Sequence, residues 1–182
     1  MAESTPSIAR AFRQQPIATL LSTGFGVGLS PIAPGTAGSL LALGLAAAAV
    51  ALAHRSQHGP SMAAALGLLM SGLAAGAIGV PLTTRASRAI GAKDPGMIVL
   101  DEISGQWIAC SAVPLFAFAS PFRETLLWLI SFLAFRLFDI WKPGPIHELQ
   151  NLPEGFGIMI DDVLAGALAA GVTLVAGKAL AG

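Results

Sequence analysis

The chain has 182 residues, 54% of them hydrophobic and only 11% charged, and its ten basic and ten acidic side chains cancel. Soluble domains carry about 25% charged residues, and a nucleic-acid partner calls for a strongly basic face. The composition therefore sets nucleic-acid binding aside and, with a mean hydropathy of +0.74, points to a membrane. The one cysteine, Cys110, lies in an apolar run, which excludes an intrachain disulfide and reads as a small buried hydrophobe.

Residues 1–16, MAESTPSIARAFRQQP, are polar and lack the charged start, short apolar core and cleavage site of a secretory signal, so none is expected. Residues 17–33, IATLLSTGFGVGLSPIA, are apolar but broken by glycines and Pro31, the pattern of an interfacial or re-entrant helix. A bilayer crossing takes about 20 mainly apolar residues. Runs at 37–53, 61–82, 103–122 and 163–181 approach that length, the last with Lys178 near its end, while 125–138, TLLWLISFLAFRLF, suffices only if Arg136 snorkels. The expectation is one all-α domain over residues 1–182, a multi-pass membrane bundle of about five to six helices. A soluble helical domain with an Ala- and Gly-rich core is the alternative, and runs longer than a buried core helix argue against it.

If all five runs cross, one side collects Arg10, Arg13, Arg85, Arg88, Lys93, Arg136 and Lys142, against Arg55, Arg123 and Lys178 on the other. Cytoplasmic loops carry the excess of Lys and Arg, which makes the first side cytoplasmic.

Three polar stretches gather on that side, at 30–43, 93–109 and 135–166, and each leads into an apolar helix. The last two contain matching segments, IVLDEISGQ and IMIDDVLAG, each with a vicinal acidic pair followed by small residues. One acid at a helix start is explained by capping, worth about 0.3 to 1 kcal/mol. A vicinal pair is not, because the second acid points about 100° round the helix and the two repel. Asp101, Glu102, Asp161 and Asp162, with Asp139 and Asp94 nearby, need a cation. Carboxylates without accompanying His or Cys favour a hard ion, and Mg²⁺ is usual where phosphate is present.

In PGTAGS, Thr36, Gly38 and Ser39 stand at a helix start that could present N–H groups to a phosphate, although such a sequence is more often an ordinary capped start. In FRLFDIWKP, Arg136 and Asp139 share a helical face at i and i+3, with Lys142 close to it, so Arg136 reads as a salt-bridge partner or a phosphate ligand. Lys93, Arg136 and Lys142 are candidate phosphate clamps. His54 and His58 fall on the opposite side, and His147, though among the motifs, reads as a loop residue.

Through GFGVGLSPIAPGTAGS, DPGMIVLDEISG, FRLFDIWKPGPI and GIMIDDVLAG, from about Thr23 to Gly166, the chain closely resembles the phosphatidylglycerophosphatase A family of bacterial membrane lipid phosphatases. The resemblance implies removal of the terminal phosphate of phosphatidylglycerophosphate, with Mg²⁺ as the ion and an active site on the cytoplasmic side of the inner membrane. It further implies that Asp101, Glu102, Asp139, Lys142, Asp161 and Asp162 belong to that site, with Asp101, Glu102, Asp161 and Asp162 as metal ligands. Glu102 and Asp139 are equal candidates for general base, and a second ion or a covalent Asp nucleophile stays open. The expected partner is the membrane phospholipid, with no nucleic acid and no obligatory protein. The competing class is an ion- or proton-coupled transporter using the carboxylates as ligands near the midplane, but here the acids precede the apolar runs.

Overall fold

In the computed structural model, residues 7–54, 61–118 and 120–181 are described. Arg55, His58 and the start of the polar N-terminal segment lie outside them. The described residues form an all-α bundle without strands. Two short helices, α1 (Ile8–Gln14) and α2 (Pro16–Ser22), precede a 3-10 turn at Val27–Leu29 and the long α3 (Pro34–His54). Then follow α4 (Met62–Ile90), α5 (Leu100–Cys110), a 3-10 turn at Val113–Leu115, α6 (Pro121–Trp141), the single-turn α7 (Pro145–Leu149) and α8 (Gly155–Ala181). Among the described residues, three helices are long and apolar enough to cross a membrane: Pro34–Ala53, Met62–Ile90 and Gly155–Ala181.

The helices depart from the apolar runs in instructive places. The run 103–122 does not form one helix. α5 stops at Cys110, and Pro114, which lacks an N–H, sits in the 3-10 turn that follows. Eleven helical residues rise about 16 Å, half of a hydrocarbon core. α5 nevertheless connects the two ends of the bundle through that turn, because Ser61 N–H at the start of α4 donates to Pro114 O at 2.7 Å. α6 is longer than expected and carries Arg136 in its interior, 16% exposed rather than snorkelling. α4 runs eight residues past Leu82, and α8 starts eight residues ahead of Val163. The region 17–33 is helix, turn and bend, with Ile17, Phe25 and Ile32 more than 70% exposed.

α5 is the central element and packs on α3, α4, α6 and α8. Polar side chains tie it to three of them: Ser104 Oγ donates to Gly72 O at 2.8 Å, Trp107 Nε1 to Ala42 O at 3.0 Å, and Gln106 Nε2 to Ser131 Oγ at 3.4 Å. In an apolar surrounding such bonds help fix which faces meet. Below the acids, Ala109, Ala134, Phe135, Ala165 and Ala169 form a small-residue core around one ring. At the other extreme, α1 caps the projecting end of α4, with Ala11 packed among Ala86, Ala89, Ile90, Ile98 and Ile158.

Candidate active site

Two glycines bring the acids together. In an α-helix, residues at i and i+4 lie one above the other on the same face. Asp101 is followed at that spacing by Gly105, and Asp162 by Gly166. At Gly166 a Cβ would run into the carbonyl oxygen of Gly105, and at Gly105 it would meet Asp162 O at 2.5 Å. The backbones of α5 and α8 therefore touch, and one turn above that contact the two aspartates face each other. Glu102 reaches the same point from the first turn of α5. Carboxylate oxygens of Asp101, Glu102 and Asp162 lie within 4.8 Å of one another. A third glycine admits Glu102: a Cβ on Gly35, in the first turn of α3, would collide with Glu102 Oε1.

The set is under electrostatic tension. Asp101 Oδ1, Glu102 Oε2 and Asp162 Oδ2 are buried and without a hydrogen-bond partner among the described residues, a situation that costs several kcal/mol for a charged group. Asp101 and Glu102 stand ahead of the apolar part of α5. Burial, with repulsion from Glu102 and Asp162, holds the Asp101 carboxyl well above its usual range. Burial raises Glu102 as well, against a hydrogen bond with Asp101 that acts the other way. A cation between them relieves all three oxygens at once. The donors are hard oxygens with no nitrogen or sulfur among them, so the site fits a hard divalent ion.

Asp161, expected beside Asp162 as a ligand, points elsewhere and forms an ion pair with Lys142. Lys142 closes α6 in the left-handed region, with φ at 46°, and this bend turns its side chain toward α8. Burial works against its ammonium, but the hydrogen bond to Asp161 and the charges of Asp161, Asp162 and Asp139 outweigh it and raise its pKa above the ordinary lysine value. Asp139 pairs with Arg136 at 2.5 Å and lies near enough to Asp162 and Glu102 for its charge to act on both. Arg136 Nη1 also donates to Ser39 Oγ at 3.3 Å, while Ser39 donates to Gly35 O at 2.9 Å. Arg136 Nε is buried without a partner among the described residues.

The other phosphate candidates divide. Thr36 shares the first turn of α3 with Gly35, beside Glu102 and Arg136. Gly38 packs against Val99, where a Cβ would come within 2.7 Å of the valine Cβ. Lys93 is exposed and lines a different cavity with Arg88 and Glu154. His147 is exposed on α7 and meets Gln150 at 3.0 Å. The sequence reading missed Gly35, Gly105 and Gly166, although the shared Asp-x3-Gly spacing was present to be found.

The profile of the phosphatidylglycerophosphatase A family matches residues 20–177. Phosphatidylglycerophosphatase A of Escherichia coli is 39% identical over 155 residues, covering 84% of this chain and 79% of that protein. The protein of the same name in Haemophilus influenzae is 37% identical over 150 residues, covering 80% of each. A Bacteroides thetaiotaomicron protein with the provisional name phosphatidylinositol-3-phosphatase is 36% identical over 149 residues, covering 81% of this chain and 85% of that one. No solved structure matches. With its profile spanning the acids, both glycine contacts and the Arg136 to Lys142 segment, the chain belongs to the phosphatidylglycerophosphatase A family.

Proposed function

We propose that this protein hydrolyses the terminal phosphomonoester of phosphatidylglycerophosphate to phosphatidylglycerol and phosphate, with Mg²⁺ held by Asp101, Glu102 and Asp162. The observation that carries the reading is the convergence of three partly unpartnered carboxylates within 4.8 Å, with Lys142 and Arg136 on their flank. The names of the Escherichia coli and Haemophilus relatives favour the glycerophosphate headgroup. A divalent ion at these carboxylates supplies positive charge to offset the phosphoryl oxygens.

The remaining work falls to the chain's own side chains. Lys142 directs an ammonium toward the acid cluster and binds a phosphoryl oxygen. Arg136, anchored by Ser39 and Asp139, adds a planar fork suited to the same group. Asp139 lies outside the three-carboxylate group, and with Glu102 assigned to the ion it is the candidate general base for the attacking water. The apolar helices hold this polar end just below the headgroup layer, within reach of a lipid phosphomonoester. With seven of ten Lys and Arg on this side, we assign it to the cytoplasmic face of the bacterial inner membrane.

The test is phosphate release by the purified chain in detergent micelles, from phosphatidylglycerophosphate and, in parallel, from phosphatidylinositol 3-phosphate. Turnover of the first should exceed the second, stop with a chelator and return with Mg²⁺. Preference for the inositol lipid overturns the substrate assignment, and full turnover in excess chelator overturns the metal. Cysteines placed at Glu124 and Glu148 should label from opposite faces; labelling from one face overturns the topology.

A further inference from the structure

The end of α4 carries a second polar feature that the hydrolytic site does not use. Leu82 ends the apolar run, and at 1.5 Å per residue Arg85 and Arg88 stand about 4.5 and 9 Å farther along the axis. The headgroup region adds about 5 to 7 Å to each side of the hydrocarbon, so these cations lie in and just above it. Two cavities open there and share Arg88. One, about 300 Å³, also includes Lys93 and Glu154 in its lining. The other, about 240 Å³, includes Gln14, Gln15 and Arg85. Glu154 pairs with Arg88, which leaves the charge of Arg85 and Lys93 in excess among the lining residues. The acid cluster is separate. α8 begins with Gly155 N–H donating to Thr84 Oγ1 at 3.0 Å, and Asp162, its member of the cluster, is seven residues, about 10 Å, deeper along that helix.

We propose that the two cavities flanking Arg88 bind the phosphate-bearing headgroup of an anionic phospholipid that is not the one being hydrolysed. Arginine presents a planar fork of N–H donors that matches a phosphate, and Gln14 and Gln15 add amide donors for the headgroup's other oxygens. Free inorganic phosphate offers the same chemistry, but the depth of Arg85 and Arg88 favours a headgroup anchored in the same layer. Each basic side chain near an anionic leaflet strengthens binding about fivefold.

The experiment reads lipid binding rather than turnover, so its failure leaves the hydrolytic reading standing. The full chain is placed in phosphatidylcholine nanodiscs with a minority of spin-labelled phosphatidylglycerol, and the immobilised fraction is measured by electron paramagnetic resonance. Affinity should fall about tenfold or more in the Arg85→Gln, Lys93→Gln double variant with melting unchanged, and should rise in Glu154→Gln, which removes the opposing carboxylate. A rise cannot come from misfolding. Unchanged affinity in both variants overturns the proposal, and displacement of the label by millimolar inorganic phosphate reassigns the site to the free anion.

Discussion

Asp101 and Glu102 occupy the first turn of α5, whereas Asp161 and Asp162 are the seventh and eighth residues of α8, well inside it. The first pair profits from the partial positive charge of a helix start; the second has no such support and is not a cap. Their fates differ as well. Both members of the α5 pair enter the carboxylate cluster, while the α8 pair splits, Asp162 to the cluster and Asp161 to Lys142. Aligned on the glycine contact, Asp101 corresponds to Asp162, so the extra acid follows in one helix and precedes in the other. Two near-identical peptides thus acquire different roles from a shift of one residue against the neighbouring helix.

The comparison breaks most visibly at Asp162. Asp162→Asn keeps the shape and removes the charge, and should lower phosphate release by two orders of magnitude or more, about 3 kcal/mol, while melting in detergent stays near that of the parent. Asp101→Asn should behave alike. If both retain turnover, the cluster is structural and the correspondence between the two aspartates carries no chemistry.

Gly166→Ala attacks the contact on which that correspondence rests. The added methyl has no room against Gly105 and should destabilise by about 1 to 3 kcal/mol, with activity falling in parallel. Gly171→Ala, five residues farther on and facing open space, is the control and should leave activity unchanged and stability equal or slightly higher. Equal behaviour of the two would show that α5 and α8 are not held by their glycines.

Asp161→Asn should cost less than Asp162→Asn, about tenfold in rate, and leave the Mg²⁺ concentration for half-maximal activity unchanged, whereas Asp162→Asn raises it. Lys142→Met, which also removes the ammonium proposed to bind the phosphoryl oxygen, should cost more, and the double variant should be little worse than Lys142→Met alone, because Asp161 acts through that side chain. A shifted Mg²⁺ dependence in Asp161→Asn would put that acid back among the ligands. At the small end, His147→Gln should stay within about twofold of the parent, as expected for an exposed residue away from the cluster.

Much of this was legible in the sequence. The long apolar runs announced α3, α4 and α8, and charges placed beside them announced the acids, since such placements are costly without a purpose. What stayed hidden was set by partners distant in the chain. The first eight residues of α8 lie ahead of the apolar run at 163–181, and their helix starts where Gly155 meets Thr84, 71 residues away in the chain. The break after Cys110 follows from Pro114, but a hydropathy run counts that proline as apolar. Arg136 and Ser39 are 97 residues apart, and no local pattern foretells their contact. Lys93 follows Gly91, whose φ of 88° ends α4, and lines the cavity beside Arg88 and Glu154, a placement that no local pattern foretells.

The meeting of Gly105 with Gly166 has a further consequence, for the choice of ion. Side-chain contacts can yield by rotating, but here main chain rests on main chain, so the span between Asp101 and Asp162 cannot widen without moving a whole helix. Mg²⁺ holds oxygens at about 2.0 to 2.1 Å, while Ca²⁺ needs 2.3 to 2.6 Å and more of them. Under the proposed assignment, a jaw with a fixed hinge of this kind would discriminate by radius, and enlarging the hinge residue would be the way to loosen it.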